Sequence, residues 1–295
     1  MVMKENINTM NTNVAPMGGI SGFTLKIIAV ISMFIDHLGA TVVLGFLYAS
    51  QRITWITRES DRLIDQLLVW GHDNWEMVLS IYETMRYIGR IAFPIYCFLI
   101  VEGFLHTKNV KKYALRLGIF ALISEIPFDL AFNEGWLDMS SNNVFFTLLI
   151  GLLVIWGISW IRKKCGLLGQ EVSAGMQEGL ENQILRKLCG VIAIFACVGI
   201  GAFVAEYILC TDYGAAGVVT IVVMYLLYKK SWMGFLLAVL VLTLMTSEIE
   251  LIALLGAVLV CYYNGERGKN IKYFFYAFYP VHLLLLWLVT LLLGV

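Results

Sequence analysis

Apolar runs long enough to cross a bilayer follow one another along almost the whole chain, which leaves few folds open to it. A helix needs about 20 residues to span the hydrocarbon core. Hydropathy places such runs near 22–48, 81–105, 110–131, 143–161, 188–210, 213–229, 232–247, 249–263 and 271–294. Lipid offers no partner to a free backbone N–H or C=O, so runs of this length and composition form helices. The expected fold class is an all-α polytopic membrane protein with roughly nine transmembrane helices. Composition agrees: 60% of the residues are hydrophobic and 14% charged, against about 25% charged in a soluble domain. Net charge is zero, and the chain lacks the basic stripe that nucleic acid requires, so nucleic acid is not an expected partner.

Residues 1–20 read as a polar tail and 21–295 as a single transmembrane domain. The tail is too polar for the apolar core of a signal peptide, so cleavage is not expected. Segment 51–80 is too charged to span, with Arg52, Arg58, Glu59, Asp61, Arg62, Asp65, Asp73 and Glu76. Within it Leu63, Leu67, Val69 and Trp70 predict an amphipathic helix on the membrane interface. Loop 162–187 reads as a solvated helix and turn. Lysines and arginines gather at 108–112, 162–164, 186–187, 229–230 and 267–272, on one side of the nine-span topology. The positive-inside rule makes that side cytoplasmic, with the N-terminus inside and the C-terminus outside. None of the cysteines pairs at a CxxC spacing, so neither a disulfide framework nor a metal site is expected. Small residues such as Gly151, Gly157, Gly199 and Gly201 permit close helix packing, and a homo-oligomer stays open.

Charges at bilayer depth cost at least about 2.5–3.5 kcal/mol each, which makes them candidates for function. Asp36 and His37 fall near the middle of the first span. Lys26 lies on the same helix face as His37, roughly 16 Å away along the axis. Arg90 and His282 come to the same depth from two other spans. A second layer holds Arg86, Ser124, Glu125, Asp129, Asn142, Asn143, Glu206, Asp212 and Tyr213. A third, at the opposite rim, holds Lys26, Glu102, His106, Lys112, Arg116 and Lys272. The layers predict a polar path across the membrane with chemistry at its middle. Plainer readings stand beside this one. Asp36 and Arg90 would also make a structural ion pair. Lys26 would serve as a snorkelling anchor. His282 would bond backbone freed by Pro280. Glu206 and Asp212 would be solvated at a turn.

Several strings resemble the TraX family, named for the F-pilin N-acetylase. They are LKIIAVISMFIDHLG (25–39), RYIGRIAFPIYCFLIVEGF (86–104), SEIPFDLAF (124–132), NVFFTLLIGL (143–152), DYGAAG (212–217) and FYPVHL (278–283). Lys26-x10-His37 is similar to the Arg/Lys-x10-His signature of bacterial membrane acyltransferases, with Lys where many relatives carry Arg. Strings like RIAFPIY also recur in relatives that include heparan-glucosaminide N-acetyltransferase. The resemblance implies a transmembrane acyltransferase-like bundle in the bacterial cytoplasmic membrane, transferring acetyl from cytoplasmic acetyl-CoA to an amine or hydroxyl acceptor. It implies His37 as the central catalytic residue, with Asp36, Arg90 and His282 lining the site.

On that reading His37 is the general base, and Arg90 or His282 donates to the developing oxyanion. Lys26, Lys112, Arg116 and Lys272 hold the CoA phosphates. Arg86, Glu125, Asp129, Asn143 and Asp212 meet the acceptor. Acetyl-CoA is a co-substrate, and no metal is required. Two other classes remain open. One is a proton- or ion-coupled transporter using the Asp36, His37, Arg90 and His282 layer; the other is a non-catalytic membrane scaffold.

Overall fold

A computed structural model describes residues 19–53, 55–133, 135, 138, 140–167 and 180–295, with backbone alone at Trp55, Ile56, Leu180 and Lys272. Almost everything described is helical; two isolated bridges, Ile20 with Tyr263 and Asn142 with Thr211, are the strand-like pairings among these residues. The polar tail up to residue 18 and the middle of loop 162–187 lie outside the described residues.

The first long helix, α1 (Gly22–Leu38), starts at Ser21, whose side chain accepts from the N–H of Thr24. It passes through a π turn at Gly39–Val43 and continues as α2 (Leu44–Gln51). A short helix α3 (Trp55–Arg58) precedes α4 (Leu63–Asp73). Leu63, Leu67 and Trp70 are exposed along one face of α4, the arrangement expected of an interfacial helix. Next, α5 (Trp75–Gly89) and α6 (Ala92–His106) form one apolar rod with a break at Arg90 and Ile91. Pro94 explains the break: it has no N–H for the carbonyl of Arg90, and its ring crowds that carbonyl.

The remaining helices are α7 (Val110–Phe132), α8 (Val144–Lys164), α9 (Leu180–Phe203), α10 (Gly214–Leu226), α11 (Ser231–Met245), α12 (Leu255–Cys261) and α13 (Lys272–Leu293). Asn109 and Asn143 cap α7 and α8 with their side chains. At its far end α8 carries Arg162, Lys163 and Lys164, cations that suit the negative pole of the helix dipole.

The all-α polytopic membrane fold holds. Among the described residues six helices are long and apolar enough to cross a membrane: Gly22–Gln51, Trp75–His106, Val144–Lys164, Glu181–Ile208, Tyr228–Met245 and Tyr273–Leu293. The count of nine from hydropathy is therefore not reached by that criterion. The run 110–131 is one 23-residue helix, but Lys111, Lys112, Arg116, Glu125 and Asp129 interrupt its apolar character. The helix α10 is apolar but only 13 residues long. The run 249–263 is no continuous α-helix: Glu248–Leu254 winds as a 3-10 helix before the 7-residue α12.

The core lies around α6, in which Ala92, Phe93, Pro94, Ile95, Cys97, Phe98, Ile100, Val101 and Phe104 are all buried. Around it pack α1, α8, α10 and α11. On the periphery, α9 leaves Ile184, Leu188, Ile192 and Phe195 exposed, a stripe fit for lipid tails rather than water. Last, α13 lies against α7 and reaches α1 and the π turn after it. That contact joins the last helix to the first and sets two histidines side by side.

Candidate active site between two joined cavities

Two cavities of about 600 and 580 Å³ run through the bundle. The first, the histidine cavity, is walled by Asp36, His37, Arg86, Arg90, Asp212, Tyr213 and Glu250, with Tyr82, Phe128, Phe132 and Ser247. The second, the basic cavity, is walled by Lys26, His106, Lys108, Arg116 and Arg267, with Glu102 and the rings of Tyr113, Tyr263, Phe275 and Tyr276. Met33, Tyr96, Val144 and Tyr279 line both, so they form a collar where the cavities meet.

Helical periodicity makes α1 one wall of the whole path. Gly22, Lys26, Met33 and His37 recur at spacings of four, seven and four residues, hence on one face. The first two line the basic cavity, Met33 the collar and His37 the histidine cavity. His37 lies at the end of α1, where the chain enters the π turn, and its carbonyl accepts from the hydroxyl of Thr41 at 2.7 Å. Single π turns often accompany functional sites, because the added residue redirects the side chains around it.

Nδ1 of His37 is 2.7 Å from Nε2 of His282, with the two rings parallel to within 4°. His282 Nδ1 is 2.8 Å from the carbonyl oxygen of Phe278. A carbonyl only accepts, so in the neutral pair His282 is protonated on Nδ1 and its Nε2 accepts from Nδ1–H of His37. His37 is thereby left with an unprotonated Nε2 at the cavity wall. His282 is itself buried and is not part of that wall. Its place is behind His37, so it orients the imidazole instead of meeting an oxyanion. Its backbone bond goes to Phe278, whereas Pro280 frees the carbonyl of Tyr276. Tyr279 and Phe132 stand edge-on to His37 at 5.8 and 5.3 Å between ring centres.

Asp36 faces away from His37, as expected for neighbours about 100° apart on a helix. Its carboxylate meets Arg86 at 2.9 Å and Arg90 at 3.2 Å. Arg90 also binds Glu250 at 3.1 Å. Gly89 makes the arrangement possible. A Cβ built there would come 2.1 Å from Oδ1 of Asp36 and 2.3 Å from its Cβ. Asp36 thus lies directly on the α5 backbone, between two arginines four residues apart. Arg86, expected in a separate layer to meet the acceptor, pairs with Asp36 and lines the same cavity as His37.

The structure does not bring every expected residue to the path. Glu125, Asp129 and Asn143 are buried but line neither cavity. Asn143 caps α8 through Phe145 N–H at 3.1 Å and donates to the carbonyl of Ala121 at 2.8 Å and to Glu125. Asp129 accepts from Asn133 and from the backbone of Asp138, each at 3.0 Å. Asn143 and Glu125 tie the start of α8 to α7, and Asp129 holds the chain that leaves α7. Asn143 and Asp129 meet backbone groups that need partners, whereas Oε1 of Glu125 is buried without one among the described residues. Lys112 is exposed, lies outside the basic cavity, and contributes its backbone N–H to the Asn109 cap. The side chain of Lys272 lies outside the described residues. Lys26 stands over the ring of Phe275 at 5.8 Å, and Arg116 over that of Tyr113 at the same distance.

Asp212 lines the histidine cavity. It is placed by a turn in which Asn142 N–H donates to Cys210 O and Asp212 N–H donates to Asn142 O, each at 2.9 Å. Tyr213 stacks on Phe93 within 3° of parallel. Glu206 is a cap, accepting from the N–H of Ala215 at 2.9 Å. Glu250 is the charged residue of this wall that sequence reasoning missed, as it missed Tyr96 of the collar. Glu250 falls at the start of an apolar run, where an acid reads as the solvated end of a span. The available signal was the pair Glu248 and Glu250 next to Thr246 and Ser247, a polar cluster inside otherwise apolar sequence.

A family model described as TraX protein matches residues 21–290. The chain is 28% identical over 288 residues to the probable fimbrial assembly protein FimC, serogroup H1, of Dichelobacter nodosus, across 90% of this chain and 94% of that one. No solved structure matches.

Proposed function

From the premise that this chain belongs to the TraX family, we propose that it is an acetyltransferase of the bacterial cytoplasmic membrane. Acetyl-CoA would enter the basic cavity and an amine or hydroxyl acceptor the histidine cavity. The observation that carries this reading is the junction of the two cavities beside a histidine whose Nδ1 is bound and whose Nε2 is free.

The chemistry needs a base, a bound thioester and separate access for two substrates. His37 Nε2 takes the proton of the acceptor as its lone pair attacks the acetyl carbonyl carbon. The carbon–sulfur bond then breaks with its electron pair on sulfur, and the proton on His37 passes to the thiolate, releasing CoA. His282 keeps His37 in the tautomer this requires, the role of an orienting group in a hydrolytic triad. Asp36, Arg86, Arg90 and Glu250 form the charged wall of the acceptor chamber. Lys26, Arg116, Lys108 and Arg267 supply cations for the CoA phosphates. The positive-inside rule favours a cytoplasmic position for this basic end, on the side where acetyl-CoA is made.

The coarser reading, a membrane protein serving fimbrial assembly, is in line with the relative's name. Continuity of the two cavities also favours a carrier that moves an ion or small ligand along the same path. Detergent-purified protein incubated with acetyl-CoA and a panel of amines and amino sugars separates the readings. Acetyl transfer requires acceptor-dependent release of CoA thiol that His37→Ala abolishes. Folded wild-type protein that neither binds acetyl-CoA nor releases CoA would refute the acetyltransferase and leave the carrier.

A further inference from the structure

The collar contains two hydroxyls, those of Tyr96 and Tyr279. Met33 and Val144 are apolar, and Tyr279 stands edge-on to His37, with its ring on the histidine side of the collar. Tyr96 is half-buried, and its hydroxyl is not among the sealed polar atoms of the fold. Tyr96 faces both cavities. Its neighbours Ile95 and Cys97 are completely buried, which fixes the backbone of α6 and hence the direction of the ring. A phenol that opens onto the passage between two substrate chambers is placed to donate to a group that arrives with substrate.

We propose that Tyr96 is a catalytic residue whose O–H donates to the thioester carbonyl oxygen of acetyl-CoA at the collar; this rests on the acetyltransferase reading. The placement suits the chemistry. Met33 of the collar precedes His37 by four residues, about 6 Å along α1. Lys26 precedes Met33 by seven, about 10 Å further. A phosphate held near Lys26 therefore leaves the pantetheine arm to run along the basic cavity and bring its carbonyl to the collar. His37 Nε2 then faces the attacking atom from one side and Tyr96 the carbonyl oxygen from the other. In the tetrahedral intermediate the oxyanion accepts from Tyr96. When it collapses the carbonyl reforms, sulfur leaves, and Tyr96 keeps its proton throughout.

Such a donor counts for most where charge develops, so its loss acts on kcat. Tyr96→Phe removes the hydroxyl and keeps the ring that fills the collar. With glycinamide, glucosamine and ethanolamine as acceptors, kcat for CoA release should fall by about 10²–10³, with the KM for acetyl-CoA unchanged. Infrared spectra of bound acetyl-CoA labelled with ¹³C at the carbonyl give a second readout, without turnover. The carbonyl band should lie at lower frequency in wild type and move back toward that of free acetyl-CoA in Tyr96→Phe. A merely structural role would leave that band unmoved. Wild-type turnover and an unshifted band in folded Tyr96→Phe overturn the assignment and leave acetyl transfer standing. Failure of the wild type to bind or use acetyl-CoA overturns both.

Discussion

Replacement of Gly89 by alanine tests the geometry of the site through a single methyl group. The added Cβ would come 2.3 Å from the Cβ of Asp36 and 2.1 Å from its Oδ1. Carbon atoms in contact stay about 3.5–4.0 Å apart, so α1 and α5 must part by roughly 1.5 Å. Rotating the Asp36 side chain cannot relieve this, because its own Cβ is in the clash. Overpacking of this kind costs about 1–3 kcal/mol. Better helix propensity returns up to about 1 kcal/mol, so with that full return the net loss is about 0–2 kcal/mol. Activity should suffer more, because His37 adjoins Asp36 and moves with it. A displacement near 1 Å costs about a hundredfold in rate.

The assays are apparent Tm in detergent and acceptor-dependent CoA release. Gly89→Ala should lower Tm by up to several degrees and nearly abolish turnover. Gly199→Ala is the control, since a Cβ there meets nothing within 4 Å; it should leave turnover unchanged and Tm unchanged or slightly raised. A Gly89→Ala protein with wild-type Tm and turnover would refute the close approach of Asp36 to α5, and with it the account of the arginine pair.

Other perturbations separate structural from chemical roles. Arg90→Ala leaves the buried Glu250 without its cation and weakens the hold on Asp36; it should cost about 3–5 kcal/mol, measured as lost thermal stability in detergent, whereas Glu250→Gln should cost clearly less. His282→Ala should lower kcat at least tenfold by freeing the His37 tautomer, with His282→Gln partly restoring it through an amide oxygen that accepts from Nδ1–H, read from the kcat and KM of CoA release. Asn143→Ala removes the α8 cap and the donor to Glu125; it should lower stability by about 1–3 kcal/mol and leave the KM for acetyl-CoA unchanged.

Much of this protein was legible along the chain. Apolar runs and the cost of unpaired backbone in lipid were enough to require an α-helical membrane protein. Rotation of 100° per residue put Lys26 and His37 on one face and Asp36 off it, and the cavities follow that face. The rise per residue put Asp36, His37, Arg90 and His282 at one depth; in the structure Asp36 pairs with Arg90, and His37 with His282. Periodicity assigns a side chain to a face of its own helix, but it says nothing about what that face meets. Only packing across sequence separations of 160 and 245 residues paired Arg90 with Glu250 and His37 with His282. The same packing turned Glu125, Asp129 and Asn143 toward helix ends and left Lys112 at the surface. Hydropathy also could not foresee the break at Arg90 or the 3-10 turn that carries Glu250 inward, because a proline-induced break and a tightened helix change direction without changing composition. The collar was decided last: four residues from α1, α6, α8 and α13 acquire a common role only where those helices converge.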